Sequence, residues 1–337
     1  MNARSLMNLI STKTFQRFVS KVLFLSSLLF IFPLCSFSQT WPNQTIKIIV
    51  PFPAGGGTDA LARTLSIELG KVLNQTVYVE NKPGANGIIG AQFVALAPPD
   101  GNTILLTIAS FSISPAFSKK LPFDVDKDFA PVSLVAKYPY LLTTGSQSEL
   151  KTFKQFYEFA KKNPGKLSYA SSGNGSGPHL GMELINDRLG LQTIHVPYKG
   201  AAPANNDLLG GNVDLMLNNL LASSSLIKSK KLNVLAVTTA QRSNALPDVP
   251  TLIELGYPNM EVVGWYGVFL PEKTPKFIVN KLSEAIKKVI QNPDILSRLS
   301  QDGAIPVAST PNEFKEFFNA DKNRWLQLSK KINLELD

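Results

Sequence analysis

The chain has 337 residues, 44 % of them hydrophobic and 18 % charged, the balance of a soluble globular protein with room for two domains that each have a core. Its formal net charge is +9, yet no basic block is interleaved with aromatic residues, which argues against nucleic acid as a partner. A single cysteine, Cys35, excludes an internal disulfide and a multi-cysteine metal site.

Residues 1–38 read as a secretory signal peptide. Arg4, Lys13, Arg17 and Lys21 form a basic start, and residues 22–34, VLFLSSLLFIFPL, form an apolar run short for a membrane span. Ser36 and Ser38 are the small residues that a signal peptidase reads, so cleavage is expected before Gln39 and the mature chain is expected in the periplasm. An uncleaved anchor is the rival reading, and Cys35 raises lipid attachment, which the bulky Leu34 disfavours. The leader carries four of the nine excess positive charges, which leaves +5 and no cysteine in the mature chain.

Residues 46–50, IKIIV, are apolar and mostly β-branched and predict a buried strand, stopped by Pro51 and Pro53. Gly55, Gly56 and Gly57 permit backbone angles that other residues resist. Thr58 and Asp59 are N-cap residue types, and Leu61, Leu65, Leu69 and Leu73 follow at helical spacing. A strand, a glycine turn and a helix start present unpaired N–H groups to an anion. The candidate contacts here are Phe52, Ala54, Gly55, Gly56, Gly57, Thr58 and Asp59. The turn lacks the G-x-G-x-x-G spacing of a dinucleotide site and the Lys-Ser/Thr end of a P-loop, although Glu80 stands where a ribose acid would. Asp59 would repel a polyphosphate, so a single carboxylate suits the turn better; a plain tight turn is the bland alternative. Asp59 itself has two readings, helix cap or contact to a ligand donor.

A second strand at 77–80, a breaker-rich loop at 81–87, a helix at 88–97 and a third strand at 103–107 follow. Such alternation implies a parallel sheet covered on both faces, with ligands beyond the carboxyl ends of its strands. Thr107 and Ser110 offer hydroxyls there. Asp124, Asp126 and Asp128 lack the glycine and terminal Glu of a calcium loop and read as a solvated acidic turn. The extended stretch 132–143 is the first crossing into a second domain. After a helix at 152–162 and a strand at 167–170 comes a second glycine loop, SSGNGSGPH, with candidate contacts Ser171, Gly173, Asn174, Gly175, Ser176 and His179. Tyr198 and Lys199 end the strand 194–197, and Asn218 ends the strand 213–217. A strand at 232–238 and a return crossing at 262–269 precede a helical C-terminal part, whose apolar stripes are expected to close the first domain.

PFPAGGGTD, ENKPGANG, SYASSGNGSGPHL, HVPYKGAAPA, DLLGGNVDLM, LPDVPTL and GWYGVFLP occur in order over nearly all of the chain after the leader. In these motifs the chain resembles the Bug-type receptors, the extracytoplasmic solute-binding proteins of tripartite tricarboxylate transporters. The resemblance implies an α/β, two-domain periplasmic-binding-protein (Venus-flytrap) fold with two crossing strands and a ligand cleft between domains. The expected domains are 39–138 plus 267–337, and 139–266. The implied role is capture of a small organic acid, a mono- or dicarboxylate or an amino acid, by a monomer that hands it to a membrane transporter. A ligand sensor for a membrane kinase would use the same cleft, and a nucleotide-dependent oxidoreductase has only the glycine turn and Glu80 for support. The sequence carries no H-E-x-x-H and no G-x-S-x-G elbow, His195 alternates with Ile194 and Val196 as a structural residue would, and Ser171 and Ser172 have no evident base and orienting acid. The expectation is therefore a non-enzyme with no cofactor and no metal.

Overall fold

A computed structural model of the protein describes residues 40–332 apart from Lys119 and Asn259, so the signal peptide reading lies outside the described residues. Strand β1 (Ile46–Val50) pairs in parallel with β2 (Val77–Asn81) and with β3 (Thr103–Ile108). The connections are α1 (Gly57–Leu73) and, after a short turn at Ala85–Gly87, α2 (Ile88–Ala95). A helix, α3 (Ser110–Phe117), follows β3 where only a hydroxyl-bearing strand end was expected. Its Pro115 removes one backbone donor, while the Ser112 and Ser114 hydroxyls bond back to the Ala109 and Ser110 carbonyls and tighten the turn.

The long strand β4 (Phe129–Gly145) serves both domains. Its first part, Phe129 to Pro139, pairs with β9 (Val263–Pro271), and its last part, from Tyr140, pairs with β7 (Leu215–Asn219) and β8 (Leu232–Val237). Pro139, the last residue of β4 paired with β9, stands at the switch between partners and has no N–H to give to the ladder. The register also shifts beside Pro131. Thr238, 1 % exposed, ties the two crossings: its Oγ1 accepts the Tyr140 N–H at 3.0 Å and lies 2.5 Å from the Val262 carbonyl. β9 runs antiparallel to both β3 and β4, and β4 antiparallel to β7 and β8. The all-parallel expectation is thus corrected to a parallel core in each domain, joined by antiparallel crossing strands.

In the second domain β5 (Ser168–Ser171) lies between β6 (Ile194–Pro197) and β7, parallel to both. Its helices are α4 (Phe153–Lys162), α5 (Gly177–Leu189), α6 (Ala201–Gly210) and α7 (Leu220–Lys228). Thr152 starts α4 with a reciprocal capping box to Gln155. The C-terminal helices α8 (Lys276–Val289), α9 (Pro293–Gln301) and α10 (Pro311–Ser329), with the short β10 (Ile305–Pro306), pack on the first domain. Their aromatic core joins Phe314 and Phe318 to Phe269 and Phe111, with ring centroids 4.8–5.6 Å apart across these contacts. Each such fully buried ring contributes about 1.5–3 kcal/mol of transfer free energy. Asp321 places a charge in this core: its carboxylate accepts from Ser112 Oγ at 2.6 Å, Trp265 Nε1 at 3.0 Å and Arg324 at 2.8 Å. With its acceptors filled, that buried charge is tolerated.

Candidate functional site

The first glycine turn is built differently from the expectation in one respect. Helix α1 starts at Gly57 with Gly56 as its N-cap, so Thr58 and Asp59 lie inside the first turn and neither is the cap. Gly55 has φ +85°, which a side chain would strain. Because Gly56 has no side chain, no cap bond covers the helix start, and Ala54, Gly55 and Gly56 are exposed. Thr58 is buried against the helix, and the Phe52 ring lies over Gly87. Asp59 is 3 % exposed and fully engaged: it accepts from the Gly55 N–H, from Arg63 Nε and from Asn81 Nδ2, each at 2.9 Å. Burial opposes its charge, but the bonds from Arg63, Gly55 and Asn81 prevail and hold the carboxyl below the usual carboxylate range. Asp59 therefore clamps the turn from the third helical position, and Arg63 lies on the helix flank.

Thr107 lies near the end of the adjacent strand, and Ser110 lies just beyond it. Thr107 is buried in β3 opposite Gly267, and the Ser110 hydroxyl, on a residue 4 % exposed, has no hydrogen-bond partner. Helix α3 starts from Ala109 without a side-chain cap. Between β2 and α2, Gly84, Ala85, Asn86 and Gly87 all have positive φ, and Asn86 Nδ2 donates to the Gly175 carbonyl at 3.2 Å. This bond joins the loop beside the first glycine turn to the second glycine loop.

The second loop is held from beneath by two stacked imidazoles. His179 and His195 lie 3.7 Å apart at 8°, and Tyr169 stacks on His195 at 4.9 Å. His179 is buried under the loop and its Nδ1 accepts the Gly175 N–H at 3.0 Å. Burial lowers the pKa of His179 to about 3 and of His195 to about 4, with His195 adding to the effect on His179, so both rings are neutral. His195 Nε2 lies 2.7 Å from Ser171 Oγ, which corrects the expectation that Ser171 has no base nearby. Ser171 is fully buried and its hydroxyl also bonds within the loop to Gly173, so the pair braces the turn and offers no exposed nucleophile. Ser176 caps α5 by accepting from the His179 N–H at 3.3 Å, Asn174 is exposed, and Gly173 lies beside the Tyr198 carbonyl. The Tyr198 hydroxyl turns away to Asp207 at 2.6 Å, while Lys199 is exposed just before Gly200, the N-cap of α6, which has no cap side chain.

Asn218 is the clearest misplacement. It lies within β7 and is wholly buried, donating to Asn205 at 2.7 Å, in the interior of the second domain. The residue after it, Asn219, is the N-cap of α7. Sequence reasoning also missed the side chains crowding Gly57. A Cβ there would meet Arg298 at 3.2 Å, the Tyr266 hydroxyl at 3.3 Å and Leu221 at 3.4 Å. Tyr266 donates to Asp302 at 2.5 Å and Arg298 donates to the Gly57 carbonyl at 3.3 Å. The Tyr140 hydroxyl likewise occupies the space a side chain at Gly177 would need. Tyr266 lies in the GWYGVFLP motif, but only packing reveals that it faces the glycine turn.

The helix starts of α1 and α6, which have no cap side chain, with the free Ser110 hydroxyl, suit a carboxylate better than a polyphosphate, because Asp59 stands beside the first turn. Among the described residues no group of three or more His, Cys, Asp or Glu side chains is placed to hold a metal ion. The family of tripartite tricarboxylate transporter receptors matches residues 61–334. Protein BugT of Bordetella pertussis is 35 % identical over 89 % of this chain and 92 % of its own length. The solved structure of the periplasmic binding protein BugD is 37 % identical, covers 88 % of this chain and 99 % of its own, and superposes with a TM-score of 0.74. MatC from Rhodopseudomonas palustris, solved with bound malate, is 32 % identical over 86 % of this chain and all of its own, at a TM-score of 0.74. R. palustris Rpa4515, solved with adipate, is 32 % identical over 86 % of this chain and 97 % of its own, at a TM-score of 0.76. The two-domain periplasmic-binding-protein fold is common to this chain and these structures, and the chain belongs to the tripartite tricarboxylate transporter receptor family.

Proposed function

We propose that this receptor captures a small organic acid in the periplasm and delivers it to a membrane transporter of the tripartite tricarboxylate type. The observation that carries the reading is the first glycine turn, an exposed helix start without a cap side chain, together with the buried, unpartnered Ser110 hydroxyl just past the end of the neighbouring strand β3. Malate in MatC and adipate in Rpa4515 are both small carboxylates, which supports the same ligand class here. Hydrogen bonds to a charged group contribute ~1.5–3 kcal/mol each and a helix start ~0.3–1 kcal/mol, so three or four donors reach the roughly 8 kcal/mol of micromolar affinity before ordering costs are subtracted.

The cleft in this proposal lies between residues 39–138 plus 267–337 and residues 139–266. Its contacts come from Phe52 to Thr58, Ser110, the loop at Ser171 to Ser176, and Lys199. The receptor acts as a monomer, exported with a signal peptide removed before Gln39. Among the described residues no helix is long and apolar enough to cross a membrane. Mass spectrometry of acid retained by gently purified protein, followed by calorimetric titration with malate and adipate, tests the ligand class. Retention or binding of a carboxylate at micromolar strength is the expected result. A retained neutral or cationic solute, with neither acid bound, would overturn it.

A further inference from the structure

We propose that Asn86 is a positioning residue for closure, whose side-chain amide latches the first domain to the second glycine loop whether or not a ligand is present. The proposal rests on the reading of this cleft as the ligand site. Its basis is the 3.2 Å bond from Asn86 Nδ2 to the Gly175 carbonyl, which spans 89 residues and joins the loop after β2 to the loop after β5. The two ends of this bond are prepared in opposite ways.

On the first domain, four consecutive residues hold positive φ: Gly84 at 133°, Ala85 at 46°, Asn86 at 51° and Gly87 at 98°. Ala85 has neither the freedom of glycine nor the local bonding of asparagine, so its left-handed backbone is strained. Strain of this kind persists where surrounding structure enforces it and gathers at clamps and switches. Gly87 is buried beneath the Phe52 ring, and Gly90 packs on Pro51, which fixes the loop to the first glycine turn. Asn86 is exposed at its tip and tolerates the left-handed backbone. One residue type therefore supplies both the turn and the donor.

On the second domain the acceptor does not adapt. The Gly175 N–H is held by His179 Nδ1, and His179 is locked by its stack on His195. The Gly175 carbonyl thus has a fixed direction, and Asn86 meets it only when the domains are closed. Ligand and latch act on the same equilibrium: the latch raises the closed fraction, and a ligand that prefers the closed state binds more tightly by the same factor. Other bonds cross the same boundary: Arg324 donates to the Glu261 carbonyl just before β9, and Lys331 reaches Asp187 at 2.8 Å on the outer surface, where its side chain is 59 % exposed and solvent screens the pair.

The test uses the mature full-length protein and two variants. Asn86→Gly keeps the left-handed backbone and removes the amide. Asn86→Asp keeps the shape but turns a carboxylate oxygen towards the Gly175 carbonyl. Small-angle scattering without ligand is expected to give a larger radius of gyration for both variants than for the wild type, with Asp the more open. Their unfolding midpoints are expected to stay near the wild-type value, because an exposed loop tip is all that changes. Adipate or malate, whichever titrates, is expected to bind the Gly variant about two- to tenfold more weakly, the effect of one net hydrogen bond. Ligand-free radii equal to wild type in both variants would overturn the latch. If neither acid binds the wild type and the retained solute is neutral or cationic, the ligand reading fails, and the ligand-free radii still decide the latch.

Discussion

Replacing Asp59 separates a residue that builds the site from one that touches the ligand. Asp59→Ala removes the acceptor of three bonds, from Gly55, Arg63 and Asn81, each 2.9 Å long. Bonds to a charged group contribute ~1.5–3 kcal/mol each, but these are not equal. The Arg63 side chain is 54 % exposed, so its share falls to ~0.2–1 kcal/mol. Gly55 is exposed and recovers a bond to water, and Asn81 keeps its second bond to the Phe52 carbonyl at 3.1 Å. The net loss expected for Asp59→Ala is about 2–4 kcal/mol. For Asp59→Asn it is about 1–2 kcal/mol, since the amide keeps one acceptor and loses the charge. Urea denaturation of the three proteins measures this. The Asp59 carboxyl lies below its ordinary range, so its charge-dependent contribution is present above about pH 4 and fades as pH falls through the lower folded value. The deficit of the Ala variant should shrink accordingly in strong acid. Binding is the deciding assay: Asp59→Asn should hold the titrating acid within tenfold of wild type. A loss beyond tenfold, ~1.4 kcal/mol, with the denaturation midpoint unchanged would show that Asp59 meets the ligand.

The stacked histidines should make the fold acid-sensitive earlier than its carboxylates do. Their folded pKa values of about 3 and about 4 lie below the ordinary ~6.5, so unfolding takes up protons as pH falls below 6.5, and stability should drop by up to ~2.7 kcal/mol per pH unit towards pH 4; His195→Phe should roughly halve that slope. Gly264→Ala would place a Cβ 2.0–2.6 Å from the Tyr138 ring, and melting curves should show a loss of at least ~1–3 kcal/mol. N-terminal peptide mapping of exported protein should find Gln39 first; a retained Met1 or a lipid on Cys35 would overturn the processing proposal.

The strands and most helices were legible because their signals are local. IKIIV, VYVE and the two glycine loops announce themselves by β-branching and breakers, and both crossings were visible as long extended runs. Two helices were not visible. The segment at Ser110–Phe117 contains an internal proline, and Leu220–Lys228 follows a strand directly, with only Asn219 as cap. The antiparallel direction of β9 was illegible as well, since direction depends on partners more than a hundred residues away. In the site, residue identity revealed the backbone donors but not the side chains that crowd them. Tyr266 and Arg298 reach Gly57 from distant parts of the chain, and the His179–His195 stack joins a helix to a strand. Asn218 was misplaced because its strand runs two residues further than the turn signal suggested.

The position of β9 also constrains the order in which an emerging chain can assemble. It lies between β3 and β4, so the sheet of the first domain lacks its middle strand until residue 271 is available. The second domain, by contrast, draws β5 to β8 and the last part of β4 from one continuous stretch. A chain delivered from its N-terminus can therefore complete the later domain first, while the apolar edges of β3 and β4 wait uncovered. Non-local pairing of this kind is slow and leaves unpaired edges open to association, so protection of nascent protein matters most before the final quarter of the chain arrives.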